Sequence, residues 1–117
     1  MDGFYAGSTL YQPDLDVEQK DLRFWVNKYK TRFGDEPSTH ATGTYAGMDL
    51  AARAMTQAGA NLNADSFNKA TIGMGEMPGD MFSSPPRRFT DAQRLGSTKS
   101  RLSQIQNGRW VVVSDLR

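Results

Sequence analysis

The residues able to do chemistry are few. The 117-residue chain has one histidine, His40, and no cysteine. Thiol catalysis, disulfide staples and cysteine-based zinc sites are therefore excluded, and a two-histidine metal site with them. The adjacent carboxylates Asp35 and Glu36 sit just before Pro37 and Ser38. A turn is the natural reading there, with both carboxylates solvated and neither set up as an acid–base pair. Gly73, Gly75 and Gly79 only loosely resemble a phosphate-cradling dinucleotide loop. Their spacing differs, Pro78 intrudes, and the run follows a predicted helix instead of a strand. Neither a nucleophile elbow nor a helical pair of metal ligands is present, so no metal, no cofactor and no enzymatic activity are expected.

Two further side chains stand in a predicted helix. His40 falls in its first turn, where a solvated residue is the ordinary reading. Tyr45 shares a helical stripe with Met48 and Met55, which points to the core.

These residues need a scaffold. Residues 4–11 are aromatic and β-prone and run into Pro13, the pattern of a buried strand leading to a loop. Residues 16–33 predict an amphipathic helix with Leu22, Val26, Tyr29 and Phe33 on one stripe and Trp25 widening it. Asp16 is placed to cap it, with Gln19 in capping-box position and Lys20 as an i,i+4 partner; Gly34 is placed to stop it. After the turn at 35–38, residues 39–58 predict a second helix ending at Gly59. Ala41, Gly43, Ala46, Gly47, Ala51, Ala54 and Ala58 make it thin enough to lie close against other backbone. A third helix over 64–72 has Asn63 as its cap and Leu62 set to pack on Phe67.

Residues 73–99 are rich in glycine and proline and read as a long connection, with one short strand near Arg88 and Phe89. Asn107-Gly108 then marks a tight hairpin pairing Gln106 with Arg109, Ile105 with Trp110 and Leu102 with Val113.

Composition bounds the class. Ile, Leu, Val and Phe total only 21 residues, yet the net charge is just +1, so the chain should fold around a core rich in Ala, Met and aromatics. No apolar run approaches the ~20 residues that span a bilayer. The opening residues carry no basic start followed by an apolar stretch, so no secretory signal is expected in this chain. Charge is uneven: residues 1–81 hold seven Lys/Arg against eleven Asp/Glu, and residues 82–117 seven against two. The arginines of the second part are scattered over loop and hairpin, which favours two parts of opposite polarity over a nucleic-acid surface. One strand and a distant hairpin cannot cover two long helices. Packing therefore predicts that further polypeptide, or further copies of this chain, complete the structure.

The order of elements resembles a known family. Gly3, Phe4, Tyr5 through Tyr11, Gln12 and Pro13 carry the first part of the likeness. Phe24, Tyr29, Arg32, Phe33, Gly34 and Pro37 follow, then Tyr45, Ala46, Gly47 and the run Ala51–Ala54 to Ala58 and Gly59. Arg88–Thr90, Leu95, Gly96, Arg101, Leu102, Gln104, Ile105 and Gly108–Val113 close it. Together they resemble the C-terminal part of the type I periplasmic binding proteins, in the leucine/isoleucine/valine (branched-chain amino acid and amide) branch of ABC transporter receptors.

The resemblance implies an α/β fold, here a partial Rossmann-like lobe of a protein whose two lobes close over a small solute. Residues 1–81 would finish the first ligand-binding lobe, and residues 82–117 would supply a hinge crossover and the terminal hairpin of the second. Carried over by position, Tyr11, His40, Thr44 and Tyr45 would line the cleft, with His40 where branched-chain members offer an apolar side chain. The implied parent is a periplasmic receptor for amino acids, amides or related small acids, aromatic ones included, and it delivers them to a membrane permease. A ligand-sensing domain of the same fold in a regulator, or a strand-sharing structural module without ligand, are the other readings. By itself this chain is expected to self-associate or expose apolar surface, and to lack useful affinity for leucine.

Overall fold

In a computed structural model, residues 2–8 and 19–117 are described. The elements in chain order are β1 (Tyr5–Ser8), α1 (Lys20–Phe33), α2 (Thr39–Ala58), α3 (Ala64–Gly73), β2 (Arg101–Gln106) and β3 (Arg109–Val112). The first strand is therefore found at Tyr5–Ser8, while the remainder of its expected span, including Tyr11, lies outside the described residues.

Helix α1 starts later than its periodicity predicts. Gln19 has extended backbone (φ −65°, ψ 116°), makes no side-chain cap bond and is itself the N-cap, so it cannot be the third residue of a box begun at Asp16. Lys20 is the first helical residue, which also removes the helical i,i+4 setting expected for Asp16 and Lys20. Asp16 itself lies outside the described residues. The other end is as expected: Gly34 turns left-handed (φ 78°), where glycine alone is unstrained, and its N–H donates to the Lys30 carbonyl at 2.8 Å.

Helix α2 spans the predicted residues. Its cap is Ser38, whose hydroxyl accepts from the Ala41 N–H at 3.3 Å. Helix α3 carries a reciprocal box: the Asn63 side chain accepts from the Ser66 N–H at 3.0 Å, and the Ser66 hydroxyl accepts from the Asn63 N–H at 2.9 Å. Buried Ala54 and Ala70 lie on the two helices that pack together, α2 and α3, and residues this small allow backbones to approach closely.

The hairpin has the predicted register, with Ile105 opposite Trp110 and Gln106 opposite Arg109. Val113 N–H continues it onto the Leu102 carbonyl at 2.9 Å. Asn107 (φ 53°) and Gly108 (φ 75°) are both left-handed, as a two-residue primed turn requires. β1 joins the free edge of β2, antiparallel, giving a sheet of order β1-β2-β3. This pairing binds the start of the chain to its end. The short strand expected at Arg88–Phe89 is instead a single bridge between Met77 and Arg87, because Arg88 turns its N–H to the Gly96 carbonyl at 2.9 Å.

Residues opposite one another share a sheet face, so Tyr5, Leu102, Val111 and Val113 lie together, and all four are exposed. The other face carries buried Arg101 and Ser103. The core proper lies among the helices: Leu22 and Phe82 are 1% exposed, Val26 is fully buried, and Ala46 joins them, with Trp25 and Met81 packed alongside. Phe33, expected on the same stripe, is 61% exposed, and Met48 of α2 is 62% exposed. No strand comes into close backbone contact with a helix among the described residues. The radius of gyration, 16.3 Å, accordingly exceeds the roughly 13 Å of a compact chain this long.

Two outcomes follow. Phe82→Ala should lower the unfolding free energy by about 3–5 kcal/mol, read from urea denaturation monitored by helical circular dichroism. A loss below about 1 kcal/mol would show that Phe82 does not hold the helices together. A solvent-sensitive apolar dye should brighten on the folded chain because the Tyr5/Leu102/Val111/Val113 face is open. Unchanged emission would show that face covered in solution.

Candidate functional site

A groove of about 910 Å³ opens between α1 and the N-terminal half of α2. Helical spacing sets its first wall, since Asp21, Phe24, Trp25, Lys28, Tyr29 and Arg32 recur at three and four residues along one side of α1. The second wall comes from the start of α2, where His40, Thr44 and Tyr45 are brought together, with Met81 at the base. Three of the four expected site residues thus share one cavity. The fourth, Tyr11, lies outside the described residues.

Aromatic rings fix the shape of the groove. Trp25 is the hub: its ring centroid lies 5.4 Å from Tyr45, 5.7 Å from Tyr29 and 5.1 Å from Phe82. The contacts to Tyr45 and Phe82 are edge-to-face, the arrangement that aligns ring edges with π faces. Tyr45 is 45% exposed, so it belongs to both readings: one side rests on the core and the other faces the groove. His40 is exposed in the first turn of α2. Arg32 lies 5.6 Å from the centroid of the Phe33 ring, and Lys28 lies one turn before it on α1.

The sequence reading missed the α1 wall. Trp25 and Tyr29 were legible only as core stripe, and Phe24, one position off that stripe, was the signal that the apolar face is wider than burial needs. Chemically, the groove offers flat apolar walls, hydroxyls on Thr44, Tyr29 and Tyr45, and cationic side chains on the α1 side. Among the described residues no cluster of three or more His, Asp or Glu is placed to hold a metal.

Beneath the groove, residues 77–87 form a knot. Asp80 accepts from the Phe82 N–H at 3.0 Å and the Ser84 N–H at 3.4 Å, and pairs through its other oxygen with Arg87. Arg87 also donates to the Ser84 hydroxyl at 2.6 Å. Gly79 is obligatory here, since a Cβ would meet the Ser84 carbonyl oxygen at 2.3 Å. The knot turns Phe82 inward against Trp25, a wall residue of the groove, and its Met81 joins the groove lining.

Solved structures of similar shape include substrate-binding proteins of ABC transporters. The chain superposes on a branched-chain amino acid ABC transporter protein from Thermus thermophilus with bound valine, with a TM-score of 0.75 and 16% identity, over 99% of this chain and 33% of that one. It superposes equally on a fatty acid ABC transporter substrate-binding protein from Thermomonospora curvata, with TM-score 0.76, 16% identity, and 97% and 30% coverage. A solute-binding protein from R. palustris in complex with benzoate gives 0.64, 15%, 98% and 30%. The chain thus spans about a third of each, and these likenesses show the fold: a partial α/β lobe of a type I periplasmic binding protein. Among curated proteins none matches the sequence. A family model for periplasmic binding proteins matches residues 1–109, and the chain belongs to that family.

Gly79→Ala should cost about 1–3 kcal/mol, the usual range for forcing atoms into a filled site. Its thermal melt, followed by Trp fluorescence, should show the loss. An unchanged melting temperature would mean that the knot relaxes freely.

Proposed function

We propose that this chain is a segment of the solute-binding receptor of an ABC transporter, acting in the periplasm on amino acids, amides or related small acids, aromatic ones included. The observation that carries the reading is the family match over residues 1–109 together with the groove that gathers His40, Thr44 and Tyr45. In this reading those three side chains form cleft wall, with Tyr45 as the flat apolar contact and His40 and Thr44 as hydrogen-bonding groups. Tyr11 is assigned to the same wall by its position in the family pattern. The aromatic lining, Trp25, Tyr29 and Tyr45, favours a ligand with a planar or extended apolar part.

The change of texture near residue 81 marks the division of lobes, with residues 1–81 on one side and 82–117 on the other. The β1–β2 pairing favours moving Tyr5–Ser8 to the side of the hairpin. Solute capture then proceeds by closure of two lobes, driven by contacts that both make only when closed. The loaded receptor meets a membrane permease, and no catalytic step is involved. Exposed apolar surface on the sheet and on α2 supports association with further polypeptide, a second copy included.

Calorimetry tests this on the gene product that carries the segment with its flanking sequence, titrated with leucine, valine and benzoate. At least one solute should bind, and Tyr45→Ala should weaken it about tenfold, or about 1.4 kcal/mol. The 117-residue chain by itself should give no saturable heat. Micromolar binding by that chain alone would overturn the shared cleft, and failure of the longer protein to bind any of these solutes would remove the receptor reading.

A further inference from the structure

The helices and the sheet have no close backbone contact among the described residues, yet one turn of the 77–87 knot reaches both. Phe82 points into the helical core, fully buried against Leu22, Val26 and Ala46. The next residue, Ser83, turns the other way: its backbone is left-handed (φ 54°), unusual for a residue with a side chain. Its carbonyl accepts a hydrogen bond from the guanidinium of Arg101 at 2.5 Å. Arg101 opens β2 and is itself buried at the sheet's covered face.

We propose that Phe82, Ser83 and Arg101 form a latch that sets the orientation of the three-stranded sheet on the helical unit. Phe82 anchors the loop to the helices, the strained Ser83 backbone aims its carbonyl at the sheet, and Arg101 captures that carbonyl. Asp80 is the positioning residue. Its carboxylate holds the Phe82 and Ser84 amides on either side of Ser83, and its ion pair with Arg87 fixes the loop end that also bridges to Met77. A backbone held in a sparsely populated conformation needs such surrounding bonds to persist. A hydrogen bond from a charged donor is also among the stronger single contacts a loop can make. Because two adjacent residues serve two units, a small rotation at Ser83 swings the sheet while the helical core stays packed. The latch goes beyond the receptor reading and holds whether or not the parent protein closes on a solute.

The absence of cysteine makes the test direct. Ala52→Cys on α2 and Val111→Cys on β3, both exposed, carry spin labels, and pulsed dipolar spectroscopy reads their separation in the 117-residue chain. The otherwise unaltered chain should give one narrow distance distribution. Arg101→Met, which keeps the side-chain stem but loses the donor, should raise the population of other distances about tenfold, the factor set by losing one charge-assisted hydrogen bond. Helical circular dichroism should be retained. Asp80→Asn should broaden the distribution in the same sense, and it serves as the deciding variant if Arg101→Met fails to fold. A distribution that stays narrow in a folded Arg101→Met or Asp80→Asn chain overturns the latch. So does one that is already broad before Arg101 or Asp80 is altered.

Discussion

The burial of Phe82 is the contact on which the rest of the structure depends. α1 and α2 each bring few large apolar side chains inward, Leu22 and Val26 from one and only Ala46 from the other. α1 and α2 make no close backbone contact with each other, and a side chain as small as Ala46 gives little area. A phenylalanine side chain buries enough apolar surface to close that gap, about 1.5–3 kcal/mol for the transfer alone. It comes from a loop instead of a third helix, so the loop must be held as firmly as a helix would be. Asp80, Ser84 and Arg87 do this by satisfying backbone and side-chain groups that Phe82 drags out of water.

That dependence explains which parts of the structure were legible in the sequence. α2 and α3 and the hairpin could be read because their ends are decided locally: Gly59, Asn63 and the Asn107-Gly108 pair each impose a backbone state that distant residues do not alter. The start of α1 could not, since Asp16 and Gln19 fit a capping box on paper and only the extended backbone of Gln19 rules it out. The knot was illegible for a different reason. Asp80, Ser84 and Arg87 have no period and no motif spacing; what joins them is a turn held together by Gly79's missing side chain. The bridge at Arg87 sits next to the expected strand because the strand-like composition is real, while the partner, Met77, is set by that turn.

The candidate site shows a similar split. His40, Thr44 and Tyr45 were reachable because they lie within one and a half turns of a helix whose bounds are clear. The opposing wall was hidden by an ambiguity of amphipathic patterns. Trp25 and Tyr29 are equally suited to core and to groove, and periodicity gives the face of a helix but not what the face meets. The structure places Trp25 in both settings at once, since its ring contacts buried Phe82 and groove-lining Tyr45, which also contact each other.

This double duty links stability to recognition. Trp25 and Tyr45 line the groove and both contact Phe82, so the rings that would meet a solute under the proposed reading rest on the same side chain that packs against α1 and α2. A rigid aromatic wall loses little freedom when a ligand arrives, which favours binding with few polar contacts. The sheet, in contrast, makes no close backbone contact with the helices among the described residues, and the hydrogen bond from Arg101 to the Ser83 carbonyl ties it to the loop that carries Phe82. Under the proposed receptor reading, the aromatic groove would be the fixed recognition surface and the sheet beside it the element whose orientation changes.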